Sequence, residues 1–138
     1  MSLYEQDFYQ WTQEQAALLK AGALSQLDMA NLIEEVESMG RSQKKELSSR
    51  LSVLITHLLK WEFQPEYQSR SWKSTIVTQR KEIKRLLKYN PGLKNFDIEM
   101  IAEAYQDAVE IASVETGLPE SIFPASCPYS CDQIMGER

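Results

Sequence analysis

The sequence predicts an all-α protein: a bundle of about five helices followed by an irregular C-terminal arm. Three observations predict it. Apolar residues recur at three- and four-residue steps along most of the chain. Glycine and proline number only five each, and most fall between those periodic stretches, whereas an all-β sandwich needs many turns. The 138 residues suit one domain, spanning 1–138, with 43% hydrophobic and 25% charged residues as in ordinary globular proteins. A chain of this size buries roughly 68–70% of its unfolded surface, so its core needs no metal or disulfide.

The first predicted helix covers about residues 7–21. Asp7 supplies an N-cap and Gly22 a left-handed stop. Tyr4, Phe8, Trp11, Gln15, Leu18 and Leu19 mark its mostly apolar face. The second helix covers about 28–39, with Met29, Leu32, Ile33, Val36 and Met39 as its apolar stripe. Glu34 and Glu37 point away from that stripe, and Glu35 lies at its edge. The third helix covers about 42–63, with Leu47, Leu51, Leu54, Leu58 and Trp61 as core positions and Pro65 just past its end. Ser42 has no acid three residues on, so it makes no capping box. Gly40 is therefore read either as a break or as a kink inside one longer helix.

The fourth helix covers about 71–89 and is stopped by Asn90-Pro91-Gly92. The fifth covers about 97–116 and ends at Gly117, with Ile101, Tyr105, Ala108, Val109 and Ala112 on its apolar face. The tail from 118 to 138 contains three prolines and is expected to pack through Ile122, Phe123 and Tyr129, with a short helical turn from Ser130. Antiparallel packing would bury the stripes together. Bundles of this kind dimerise readily, and a two-fold homodimer is one expectation.

The start of the chain is acidic and polar, unlike a secretory signal. The apolar run at 51–59 is broken by Ser52, Thr56 and His57 and is too short to span a membrane. These features lead to the expectation of a cytoplasmic protein without a membrane association. Cys127 and Cys131 then read as reduced thiols. A zinc site needs four ligands, and the single histidine, His57, is far from them in sequence, so no metal and no cofactor is implied.

Net charge is −5, but residues 69–88 carry seven bases against one acid. Lys73, Lys81, Lys84, Arg85 and Lys88 share one face of the fourth helix, a candidate anion-binding surface for nucleic acid, nucleotide or anionic lipid. The overall acidity favours a plainer reading, a solvated face set against Glu99, Glu103, Asp107 and Glu110 of the fifth helix. Nucleic-acid binding is thus an alternative rather than the preferred expectation.

Carboxylates on facing helices can hold divalent metals, and Glu34, Glu35 and Glu37 with Glu103 and Asp107 are candidates for metal-dependent hydrolysis. Helical nucleotide pyrophosphatases space these acids as E-E-x-x-E and E-x-x-D. Here the third acid comes one residue early and the second pair is four residues apart. His57 as a general base needs an orienting partner, for which Glu35 and Tyr105 are candidates. Trp61 and Trp72 suit either a stacking pocket or the junction of the third and fourth helices. Thr75, Gln79 and Arg80 continue that junction and suit a hydrogen-bond network that fixes the helix pairing. No glycine-rich phosphate loop, nucleophile elbow or H-E-x-x-H is present. An enzyme is not the favoured class.

Several long motifs carry a resemblance. Asp7-Phe8-Tyr9-Gln10-Trp11-Thr12 with Gln15-Ala16-Ala17-Leu18-Leu19, the stretch from Asn31 to Ser42, and the stretch from His57 to Pro65 come first. Ser71-Trp72 through Gln79-Arg80, Glu115-Thr116-Gly117-Leu118-Pro119, Phe123-Pro124 and Cys127-Pro128-Tyr129 follow in order. Together they resemble the domain-of-unknown-function family twenty-nine across nearly the whole chain. The resemblance implies a small, helical, bacterial protein of a family common in photosynthetic bacteria. It implies no activity and no catalytic residues. The polar residues Glu34, Glu35, His57, Lys60, Gln64 and Arg80 fall in these motifs and form the candidate polar cluster. The expected function is a non-catalytic interaction or regulatory module with a protein partner.

Overall fold

Helices are the only regular structure among the described residues, 1–94 and 98–137, of the computed structural model. They are α1 (Leu3–Gln6), α2 (Phe8–Lys20), α3 (Met29–Phe63), α4 (Arg70–Tyr89), α5 (Ile98–Thr116) and α6 (Cys131–Met135). The all-α class expected from the periodicity is what the chain adopts.

Local sequence accounts for most boundaries. The Asp7 side chain accepts the Gln10 N–H and starts α2. Gly22, at φ 70, stops it. Ser69 accepts the Trp72 N–H at 3.2 Å and starts α4. Ser130 and Gln133 form a reciprocal capping box at the start of α6, and Gly136 at φ 72 ends it. The expected start of the fifth helix at Asp97 lies outside the described residues.

The second and third expected helices are one, α3. Gly40 lies inside it and is not among the glycines at positive φ, unlike Gly22 and Gly117, which end helices. A break would orphan several backbone donors and acceptors, whereas continuing costs one residue's ordering per hydrogen bond. Without a cap at Ser42, continuation wins.

The chain divides into two compact units, Met1–Ser42 and Gln43–Arg138. In the first, α1 and α2 pack on the opening turns of α3. Tyr4 meets Trp11 edge-on at 4.8 Å, and Phe8 stacks on Trp11 at 5.6 Å. Trp11 is the only hydrophobic residue fully buried there among those described. The buried Gln15 accepts the Asp28 N–H at 2.8 Å through its side-chain oxygen.

The second unit holds the main core. Leu47, Leu51, Leu54, Ile55 and Leu59 of α3 are completely buried. They pack with Ile76, Ile83 and Leu86 of α4 and with Met100, Ala104, Tyr105, Ala108 and Ala112 of α5. Each large side chain buried this way contributes roughly 1.5–3 kcal/mol, so this unit carries most of the stability. From the C-terminal arm, Phe123 joins the core and Phe63 meets it at 5.3 Å, while Ile134 and Met135 of α6 also enter. Tyr129 packs at the margin, as expected. Ile122 is 48% exposed, contrary to expectation, because the turn at Glu120–Ile122 directs only its neighbour Phe123 inward.

Candidate functional site

In the first unit, polar contacts decide which face of α3 packs. Asp28 accepts the Trp11 indole N–H at 2.9 Å and the Asn31 side-chain N–H at 2.8 Å. These bonds, that from Asn31 first, hold its carboxyl below the ordinary carboxylate range. The Tyr4 hydroxyl donates to the Glu35 carboxylate, and that bond pushes the phenol up to about 12. Asp28, Asn31, Leu32 and Glu35 therefore form the packed side of the helix.

The expectation that Met29, Ile33, Val36 and Met39 would be buried is overturned. They are 53%, 50%, 61% and 62% exposed. One residue along a helix is a turn of about 100°, so anchoring through Asp28 and Glu35 leaves Met29 and Val36 pointing outward. Gly40 continues this open stripe, and nothing lies within 4 Å of where its Cβ would be. Beside the stripe, Arg41 reaches Glu34 at 2.8 Å and Glu37 at 3.8 Å, all three exposed.

Of the polar cluster, Glu34 and Glu35 thus have partners within the first unit. The other four belong to the second. The Lys60 ammonium, its side chain 9% exposed, pairs with Glu115 at 2.8 Å and lies 4.8 Å above the Trp72 ring. Gln64 donates to the Thr116 carbonyl, so Lys60 and Gln64 meet at the C-terminal end of α5. His57 Nδ1 donates to the Val53 carbonyl one turn back, since a carbonyl only accepts. Arg80 donates to the Ile134 and Gln133 carbonyls at 2.8 and 3.1 Å and clamps the end of α6. A Cβ on Gly136 would come within 2.9 Å of that guanidinium. Gln79 accepts from Arg50 and ties α4 to α3, whereas Thr75 donates to the Ser71 carbonyl of its own helix, so of the expected network only Gln79 joins these two helices.

Lys73, Lys81, Lys84, Arg85 and Lys88 of α4 are exposed. Lys84 lies 3.9 Å from Glu137 and Arg85 3.3 Å from Glu82, while Lys88 lies over Tyr89. No ion pair joins them to α5 among the described residues. Glu99 and Glu103 instead line a cleft with Lys44 and Lys45 of α3, and Asp107 and Glu110 lie along Ser49 and Ser52. The acids of α5 therefore face α3, so the expected pairing across α4 and α5 does not form.

One site escaped the sequence. An apolar cavity of about 380 Å³ is lined by Ile101, Tyr105, Cys127, Tyr129 and Cys131 among others. Beside it, Tyr129 donates to Glu62, and burial first and this bond second raise its phenol pKa. Burial also pushes the Cys127 thiol up, so it is not a ready nucleophile. The pairing of Glu62 with Tyr129 spans a separation that helical periodicity does not encode. Among the described residues, no group of three or more histidine, cysteine, aspartate or glutamate side chains is placed to hold a metal, and no helix is long and apolar enough to cross a membrane.

Among curated proteins and among solved structures, no match to the chain is found. One family model matches residues 3–138, essentially the whole chain. The chain belongs to the family described as Domain of unknown function DUF29.

Proposed function

We propose that this chain is a non-catalytic protein-interaction module, and that its contact surface is the open stripe of α3 formed by Met29, Ile33, Val36 and Met39. The single observation that carries the reading is that these four large apolar side chains lie half or more exposed on one helix. Contiguous exposed apolar surface is rare on proteins that act alone and marks association sites. The first unit strengthens the case, because a segment of about 40 residues rarely supplies a sufficient core by itself and this one buries only Trp11 among its described hydrophobic residues. The reading places the protein in a bacterial cytoplasm, with Cys127 and Cys131 as free thiols.

A photo-cross-linking residue at Val36, introduced into the full chain in producing cells, tests this. A covalent adduct is expected from Val36 and none from the exposed Glu110. No adduct from Val36 would overturn the reading.

A second reading has its own observation. Lys73, Lys81 and Lys88 are exposed and lack ion-pair partners among the described residues, which suits phosphate binding. Low-salt gel retardation with duplex DNA and with RNA tests it. Binding should weaken with salt, with a shallower log–log slope after charge reversal at Lys81 and Lys88. No retardation at low salt ends this reading.

A further inference from the structure

We infer that the occupant of the α3 stripe is a second copy of this chain, laid antiparallel across it; this rests on the interaction reading above. A glycine inside an exposed helix costs about 1 kcal/mol relative to alanine. Gly40 needs no left-handed backbone, and its missing Cβ relieves no contact within the chain. What it leaves is a notch in the open stripe, one turn beyond Val36, whose side chain is 61% exposed.

In an antiparallel pair related by a two-fold axis, residue positions facing each other share one midpoint. If Val36 of each copy fills the notch at Gly40 of the other, that midpoint is position 38. The charges select nearly the same point. Arg41 and Glu34 have their midpoint at 37.5, and Arg41 and Glu37 at 39. One axis near position 38 therefore seats both valines and sets each Arg41 beside the other copy's Glu34 and Glu37. In a parallel two-fold pair the flanks carrying Glu34, Glu37 and Arg41 would lie on opposite sides of the seam and would not meet. Apolar fit and charge thus agree on polarity, register and identity of the partner. The small residue at the crossing lets the two helices approach closely, and Val36 and Met39 of both copies lie within a turn of the axis.

Sedimentation equilibrium of the full-length chain tests the inference. The wild type is expected at twice the single-chain mass. Arg41→Glu and the double variant Glu34→Arg/Glu37→Arg are each expected to associate about tenfold more weakly, as reversal of these exposed ion-pair contacts on both copies implies. A one-to-one mixture of the two variants is expected to recover association. All three positions are exposed, and circular dichroism checks that helix content is unchanged. A wild type that stays at single-chain mass at every concentration overturns the inference, as do variants that associate like wild type. Mass spectrometry of the Val36 adduct separates this from the broader reading. An adduct with itself supports both, one with a different protein overturns only the second-copy inference, and no adduct overturns both.

Discussion

Asp28 and Tyr4 hold the first unit through side-chain hydrogen bonds, and each ties that hold to pH. Asp28 is below its ordinary value of 3.8 in the folded chain, so its contribution is present above that value and is lost as pH falls through the folded pKa. The Trp11 indole proton, bonded to Asp28, should shift in an NMR titration through that acid range, and Asp28→Asn should remove the shift. Tyr4 behaves in the opposite sense. Its stabilisation is complete below 10.0 and is lost as pH rises toward about 12. Circular dichroism should show a loss of helix over that alkaline range, and Tyr4→Phe should abolish it; an unchanged profile would place that loss elsewhere. In the second unit, Lys60 and Glu115 are unequal partners, with side chains 9% and 44% exposed. Glu115→Ala leaves a buried ammonium with only the Trp72 ring, at a cost of about 1–3 kcal/mol. Lys60→Met leaves a hydrated carboxylate and should cost less than about 1 kcal/mol. Urea unfolding measures both, and equal losses would contradict this asymmetry.

Helices were legible where their ends are written locally. Gly22 and Gly117 stop α2 and α5, and the apolar spacing of Leu47, Leu51 and Leu54 reports a buried face directly. α3 was harder to read because Gly40 resembles a stop in sequence, with only the missing cap at Ser42 arguing for continuation, and its backbone conformation decides between the two. The stripe at Met29 to Met39 misled for a different reason. Apolar periodicity reports which face avoids water, not whether the cover comes from the same chain. The facing of Asp28 to Trp11, and of Glu62 to Tyr129, depends on tertiary geometry and carries no local signal. Gly40 yields a prediction on this scale. Gly40→Ala should raise the chain's thermal stability by up to about 1 kcal/mol at low concentration. The same methyl should weaken self-association by filling the notch meant for Val36. Stabilisation with undiminished association would place the contact elsewhere.

On the scale of the whole molecule, stability and association are assigned to different units. Gln43–Arg138 holds the large core, whereas Met1–Ser42 buries little and shows its apolar surface. A partner bound there stabilises the first unit by mass action, so its order should depend on protein concentration. The polar residues that drew notice in the sequence, Lys60, Gln64 and Arg80, hold helix ends together in the second unit. The surface proposed to act is instead apolar and flanked by Glu34, Glu37 and Arg41. The most direct test is the solution mass of wild type and Val36→Glu by sedimentation over a range of concentrations. The account predicts a concentration-dependent rise from 15.9 kDa to twice that mass for wild type, and single-chain mass throughout for Val36→Glu with unchanged helix content. A wild type that remains at single-chain mass, or a Val36→Glu variant that pairs as readily, would contradict it.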